Sequence, residues 1–190
     1  MSDEGSSIGG DGGVDLAAVS ETIRAWWHVP ALVLAVLSMF FIRIQSANTF
    51  LRESGVYFAG NDPWYHFRQV QYSVENNLAT MPFDVWTGFA VGADSGQFGT
   101  LFDQLIAAAA LIVGLGDPST QQIATVTAFA PAIFGALVAV PTFFIARRFG
   151  GNGVGALAAF ILAFLPGLFL QRGTIGSADH NVAEPLFMGL

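Results

Sequence analysis

Nine residues, Gly60-Asn61-Asp62-Pro63-Trp64-Tyr65-His66-Phe67-Arg68, gather an acid, a histidine and an arginine in a chain with only 11% charged residues. A second run, "RGTIGSADHNVAE" from Arg172 to Glu184, brings together Asp179, His180, Asn181 and Glu184 behind an arginine. Carboxylate and carbonyl oxygens are the ligands that Mg²⁺ and Mn²⁺ take, and an imidazole tips the preference toward Mn²⁺. Two such clusters on one face of a membrane would form a divalent cation site. A cation there suits chemistry on a lipid-linked phosphate, whose leaving charge it would neutralise. The chain carries no glycine-rich loop of the nucleotide-binding type. It has no cysteine, so thiolate metal sites and disulfides are excluded.

The elements that must position these clusters are apolar. Hydrophobic residues make up 53% of the chain and the mean hydropathy is +0.57, which points to a membrane protein. Acids outnumber bases 14 to 7, which argues against a nucleic-acid partner. Every base is arginine, and an acidic, lysine-free chain suits work in high salt. Residues 1–22 read as a disordered acidic cytoplasmic tail, without the positive start of a signal peptide. Spans are expected at about 26–44, 123–146 and 151–170, with a fourth starting at 182–190. The first opens on Trp26-Trp27, and Arg43 near its far end is expected to snorkel to the interface. Leu105–Leu115 falls short of the ~20 residues a crossing needs, so it reads as an interfacial helix within an external loop, 45–122. Arg147-Arg148 assign the turn between the second and third spans to the cytoplasm. Both chemical clusters then lie on the extracellular face of the cell membrane. Asp62 reads as the N-cap and Pro63 as the first residue of a surface helix running to about Asn77. The expected fold is all-α, a polytopic helical membrane protein.

The chain resembles the N-terminal part of the catalytic subunit of oligosaccharyltransferase in its single-subunit archaeal form. "GNDPWYHFR" is similar to that family's first acidic motif. "RGTIGSADHNVAE" is similar to its second, a DxD-like motif preceded by an arginine seven positions earlier, a spacing that Arg172 and Asp179 keep. The resemblance spans about residues 20–190. It implies a membrane glycosyltransferase domain that moves an oligosaccharide from a dolichol-linked phosphate or pyrophosphate to Asn in Asn-X-Ser/Thr of an acceptor polypeptide. Asp62 would contact both a Mn²⁺ or Mg²⁺ ion and the acceptor amide, Asp179 would be a metal ligand, and Arg172 would orient a carboxylate or phosphate. Asn181 stands where the family commonly has an acid, which either weakens metal binding or brings in His180 as a ligand. The family's later external-loop glutamate and its Trp-Trp-Asp acceptor-reading motif do not occur in residues 1–190, so these residues alone are expected to lack transferase activity.

Two other readings remain open at this level. Another lipid-phosphate-dependent membrane glycosyltransferase would share the first acid but not the Arg172–Asp179 spacing. A non-enzymatic cation-binding membrane protein would favour acids in mid-span, and Ile123–Ala146 and Gly151–Leu170 contain none.

Overall fold

The computed structural model describes residues 16–98 and 100–190, and helices dominate it. They are α1 (Leu16–Trp26), α2 (His28–Arg43), α3 (Ala47–Phe50), α4 (Asp62–Glu75), α5 (Leu101–Val113), α6 (Thr120–Leu137), α7 (Ala139–Phe164), α8 (Leu168–Arg172) and α9 (Glu184–Gly189). Two minimal antiparallel ladders qualify the all-α expectation. Leu51 and Arg52 (β1) pair with Val56 and Gly55 (β2), and Phe83 and Asp84 (β3) pair with Asp94 and Ala93 (β4). Both close turns in the polar stretch between α2 and α5.

Two stretches, His28–Phe50 and Thr120–Phe164, are long and apolar enough to cross a bilayer. At 1.5 Å per residue a straight helix of the second would reach about 68 Å, more than twice the ~30 Å hydrocarbon core. It folds back at Gly150 and Gly151, where the backbone leaves helical geometry and Gly151 takes a φ of 76°. The two arms then pack closely. A Cβ on Gly155 would lie 2.8 Å from the Phe143 carbonyl oxygen, so only glycine permits this approach. Arg147 and Arg148 are exposed just before the turn.

The core has two parts that share α6. In one, Ala35 and Met39 of α2 meet Ala136, Ala139, Phe143, Ala156, Ala159 and Ala163. Small side chains let these helices approach closely, as helices in lipid do. In the other, Val70 of α4 meets Phe102, Ile106, Ala107 and Ala110 of α5, with Ile123, Ala130 and Ala183.

Several expected boundaries need correction. Residues 1–15 lie outside the described residues, but 16–22, expected in the disordered tail, are helical: Leu16, Val19, Ile23 and Trp26 recur at helical spacing. The second arm ends at Phe164, not near residue 170, because Pro166 has no amide donor and Gly167 takes a φ of 129° before α8 begins. α5 starts four residues earlier than expected, so Asp103 lies inside it. Asn61, not Asp62, is the N-cap of α4, and Asp62 and Pro63 fill its first turn. Arg43 does not snorkel. It is fully buried, with Nη1 donating to the Met39 carbonyl at 3.3 Å and its guanidinium 4.9 Å from the centre of the Phe169 ring. Gly135 and Gly173 make the space, since a Cβ on either would come within 2.6 and 2.7 Å of Arg43 Nε.

A backbone clasp joins the two chemical clusters. Ala59 N–H donates to the Gly176 carbonyl at 2.9 Å, Gly176 N–H to the Ala128 carbonyl at 2.9 Å, and Ile175 N–H to the Arg43 carbonyl at 3.1 Å. Gly176 sits at a φ of 83°, and a Cβ there would fall 2.6 Å from the Phe50 ring. The loop ahead of Asp62 and the loop ahead of Asp179 are therefore held against the same stretch of α6.

Candidate functional site

Helical spacing places Asp62 and His66, four positions apart, on one face of α4. His66 is buried, its ring edge-on to Phe102 at 5.2 Å, and its Nδ1 lies 2.7 Å from Oδ1 of Asp103 on α5. Burial pushes the Asp103 carboxyl above its ordinary range, and the His66 hydrogen bond opposes that push. Tyr65, beside it, is driven up to about 12, chiefly by burial, and stays a neutral phenol.

Asp179 approaches in extended conformation and caps a short 3-10 turn, His180–Val182, by accepting from Asn181 N–H at 3.2 Å. Its two oxygens have different surroundings. Oδ2 accepts from Arg172 Nη1 at 2.9 Å and from Asn181 Nδ2 at 2.6 Å. Oδ1 faces His180 Nδ1 at 3.2 Å and His66 Nε2 at 4.0 Å, and the two imidazole nitrogens are 3.4 Å apart. Adjacent ligands of an ion bonded at ~2.1 Å are about 3.0–3.4 Å apart. Two of the three separations already meet this, and the His66–Asp179 distance of 4.0 Å would have to close by roughly half an ångström for the three atoms to share one cation. Two nitrogens and one oxygen form a donor set of the kind that borderline divalent metals accept.

These groups line a cleft of about 540 Å³, to which the first cluster contributes Asp62, His66 and Arg68, the following loop Trp86, and the second cluster Asp179, His180 and Asn181. A smaller cleft of about 230 Å³ is lined by Asp62, Arg172, Ser177 and Asp179 among others. Asp62 and Asp179 border both.

Arg68 anchors the Trp86 wall. Its Nη2 donates to Asp84 Oδ2 at 2.6 Å, and Thr87 Oγ1 and Trp86 N–H donate to the same carboxylate at 2.7 and 3.0 Å. Burial alone would raise the Asp84 carboxyl, but the Arg68, Thr87 and Trp86 hydrogen bonds outweigh it and hold the group below its ordinary value. A depressed folded-state pKa means the anchor contributes fully above the unfolded value of about 3.9. It is lost as pH falls through the lower folded value. Hydrogen exchange of the 84–92 segment, corrected for its intrinsic pH dependence, is expected to stay slow from pH 7 to about 4 and accelerate only below. Asp84→Asn should give fast exchange at every pH.

Of the residues singled out from the sequence, Asp179 and His180 enter the converging trio. Arg172 and Asn181 hold Asp179 from behind, and Asp62 borders the cleft as an exposed residue outside the trio. His66 and Asp103 were not singled out as functional. Each had a signal. His66 is four positions from Asp62, and Asp103 is an acid inside an apolar helix, where a charge calls for a partner.

The elements and the cleft define a class: a protein of long apolar helices carrying a histidine–carboxylate cleft between α4 and its C-terminal segment. Residues 31–188 match the family described as oligosaccharyl transferase STT3, N-terminal, and the chain belongs to that family. It is 54% identical over 172 residues to the dolichyl-monophosphooligosaccharide–protein glycotransferase AglB of Haloferax volcanii, covering 90% of this chain and 16% of that protein. It superposes with a TM-score of 0.75 and 31% identity on the archaeal oligosaccharyltransferase AglB from Archaeoglobus fulgidus in complex with an inhibitory peptide and a dolichol-phosphate, covering 85% of this chain and 18% of that one. An Archaeoglobus fulgidus oligosaccharyltransferase structure complexed with zinc and sulfate matches with a TM-score of 0.72 and 32% identity, over 81% of this chain and 19% of that one. The chain thus spans less than a fifth of each protein it matches here.

Proposed function

We propose that this chain supplies the cation and donor-phosphate part of a transferase that moves an oligosaccharide from a dolichol-linked phosphate or pyrophosphate to Asn of Asn-X-Ser/Thr in a polypeptide. The observation that carries this reading is the cleft itself, where two sequence clusters more than a hundred residues apart bring Asp62, His66, Asp179 and His180 together beside Arg172. His66 Nε2, Asp179 Oδ1 and His180 Nδ1 would hold the cation. When bound, it supplies positive charge against the phosphate that leaves the sugar. The two imidazoles favour Mn²⁺ over Mg²⁺. Arg172 and Asn181 keep Asp179 Oδ1 turned toward the trio. Asp62, bordering both clefts, accepts a hydrogen bond from the acceptor amide N–H. That weakens amide conjugation and frees the nitrogen lone pair to attack the anomeric carbon as the sugar–phosphate C–O bond breaks; the phosphate leaves with the bonding electrons, and the N–H proton passes to the Asp62 carboxylate.

The outward faces support a multi-pass membrane placement. Val33, Leu34, Leu37 and Phe41 of α2, and Phe144, Leu157, Ile161 and Phe164 of α7, are all exposed. A helix surrounded by water presents polar residues on that side. With Arg147 and Arg148 cytoplasmic, the two arms of the hairpin return the chain to the side it left. Asp62 and Asp179 can then share an extracellular cleft only if α5 does not cross.

The test uses the protein as its own host makes it, purified and given dolichol-linked glycan and an Asn-X-Thr peptide. Sequon-dependent glycopeptide should form with Mn²⁺ and vanish with chelator. Transfer that is indifferent to chelation, or that proceeds equally well on an Asn-X-Ala peptide, would count against this reading.

A further inference from the structure

Asp103 lies outside both sequence clusters and does not line the main cleft. Its Oδ1 meets His66 Nδ1 at 2.7 Å, and its Oδ2 is buried with no hydrogen-bond partner among the described residues. Both side chains are 2% exposed. Among the described residues the ion-pair partner of Asp103 is that imidazole, and a buried carboxylate so placed is costly unless positive charge lies close by. Across the ring, Nε2 points at Asp179 Oδ1 and His180 Nδ1.

We infer that Asp103 is a positioning residue: it holds the proton of His66 on Nδ1, so that Nε2 presents its lone pair to the cleft as a cation ligand. This rests on the cation reading above, and adds His66 as a ligand and Asp103 as the group that orients it. An imidazole that binds a metal through one nitrogen commonly donates from the other to a carboxylate, which sets the tautomer and raises the ring's basicity. The His66–Asp103 pair has that arrangement before any ion is present. A dication on Nε2 would also provide the positive charge that the buried carboxylate lacks. α5 therefore has a task beyond packing: it carries the acid that aims a histidine on α4.

The experiment combines a spectroscopic readout with a mutant cycle on the full protein. In metal-free protein labelled with ring-¹⁵N histidine and assigned by His66→Ala, wild type should show His66 protonated at Nδ1 and bare at Nε2. Asp103→Leu should give mixed tautomers and lower Mn²⁺ affinity by about 10–100-fold, the usual range for losing such a partner. Asp103→Asn, whose carbonyl still accepts from Nδ1, should keep the tautomer and lose less affinity. It also serves if the leucine variant fails to fold. In the His66→Ala background, either Asp103 substitution should cost no further affinity, because the effect runs through the ring. An Asp103 effect that persists without His66 would mean a structural role and overturn the inference. So would a wild-type ring protonated at Nε2. If wild type binds no divalent cation, the ligand role falls together with the cation reading. If it binds Mn²⁺ with an affinity that His66→Ala leaves unchanged, this inference alone falls.

Discussion

Asp179→Asn is expected to lower glycan transfer by about 10²–10³-fold, the scale on which a charge-stabilising group matters in catalysis, and to weaken Mn²⁺ binding by at least ~10-fold. The size follows from the two faces of the carboxylate. Oδ2 accepts from Arg172 and Asn181, while Oδ1 faces two imidazole nitrogens. An amide has one oxygen and one NH₂. If the oxygen takes the Arg172 side, the NH₂ points into the cation site. If it takes the cation side, the NH₂ meets the Arg172 and Asn181 donors. Neither orientation serves both. The fold should survive, because the Arg172 side chain is 47% exposed and water can solvate it once its partner is gone. The measurements are transfer rate, Mn²⁺ titration and thermal midpoint on the same preparation. Near-normal transfer at limiting Mn²⁺ would defeat the assignment, and a large fall in midpoint would shift the explanation to folding.

Much of this site was legible in the sequence because its signals are local. Asp62-Pro63 marks a helix start to within one residue, since an acid followed by proline suits the first turn, where the missing amide costs nothing. The seven-residue spacing of Arg172 and Asp179 anticipates the ion pair that forms. Gly150-Gly151, next to two arginines in a long apolar run, marks the turn. What escaped depends on tertiary pairing. Asp103 read as a charge at the edge of an apolar segment because its partner is 37 positions away. The burial of Arg43 needs Gly135 and Gly173, which approach it from α6 and from the loop after α8. His66 stood in view within the first cluster, but it becomes a candidate ligand only when the second cluster folds against α4. A chain read locally shows which residues could do chemistry. It shows much less well which buried group will orient them.

Asp62→Asn is expected to lower transfer as strongly as Asp179→Asn and yet leave Mn²⁺ affinity within about 10-fold of wild type. The reason is position. Asp62 is exposed at the N-terminal turn of α4, outside the trio of converging ligand atoms, and it borders both the wide cleft and the narrow one. The wide cleft holds the cation trio, whose bound ion would supply the positive charge a donor phosphate requires, and the narrow one has room for an acceptor side chain. A carboxylate between them can accept from the amide N–H of the incoming Asn. An amide side chain there keeps one acceptor oxygen but loses the negative charge. It therefore polarises the acceptor nitrogen poorly, in a step whose barrier depends on that polarisation. The two variants should then separate on metal titration. Raising Mn²⁺ should recover part of the transfer lost in Asp179→Asn, where binding is the defect, and none of that lost in Asp62→Asn. Recovery of Asp62→Asn by excess Mn²⁺ would make Asp62 an ordinary cation ligand, and activation of the acceptor amide would then need a different group.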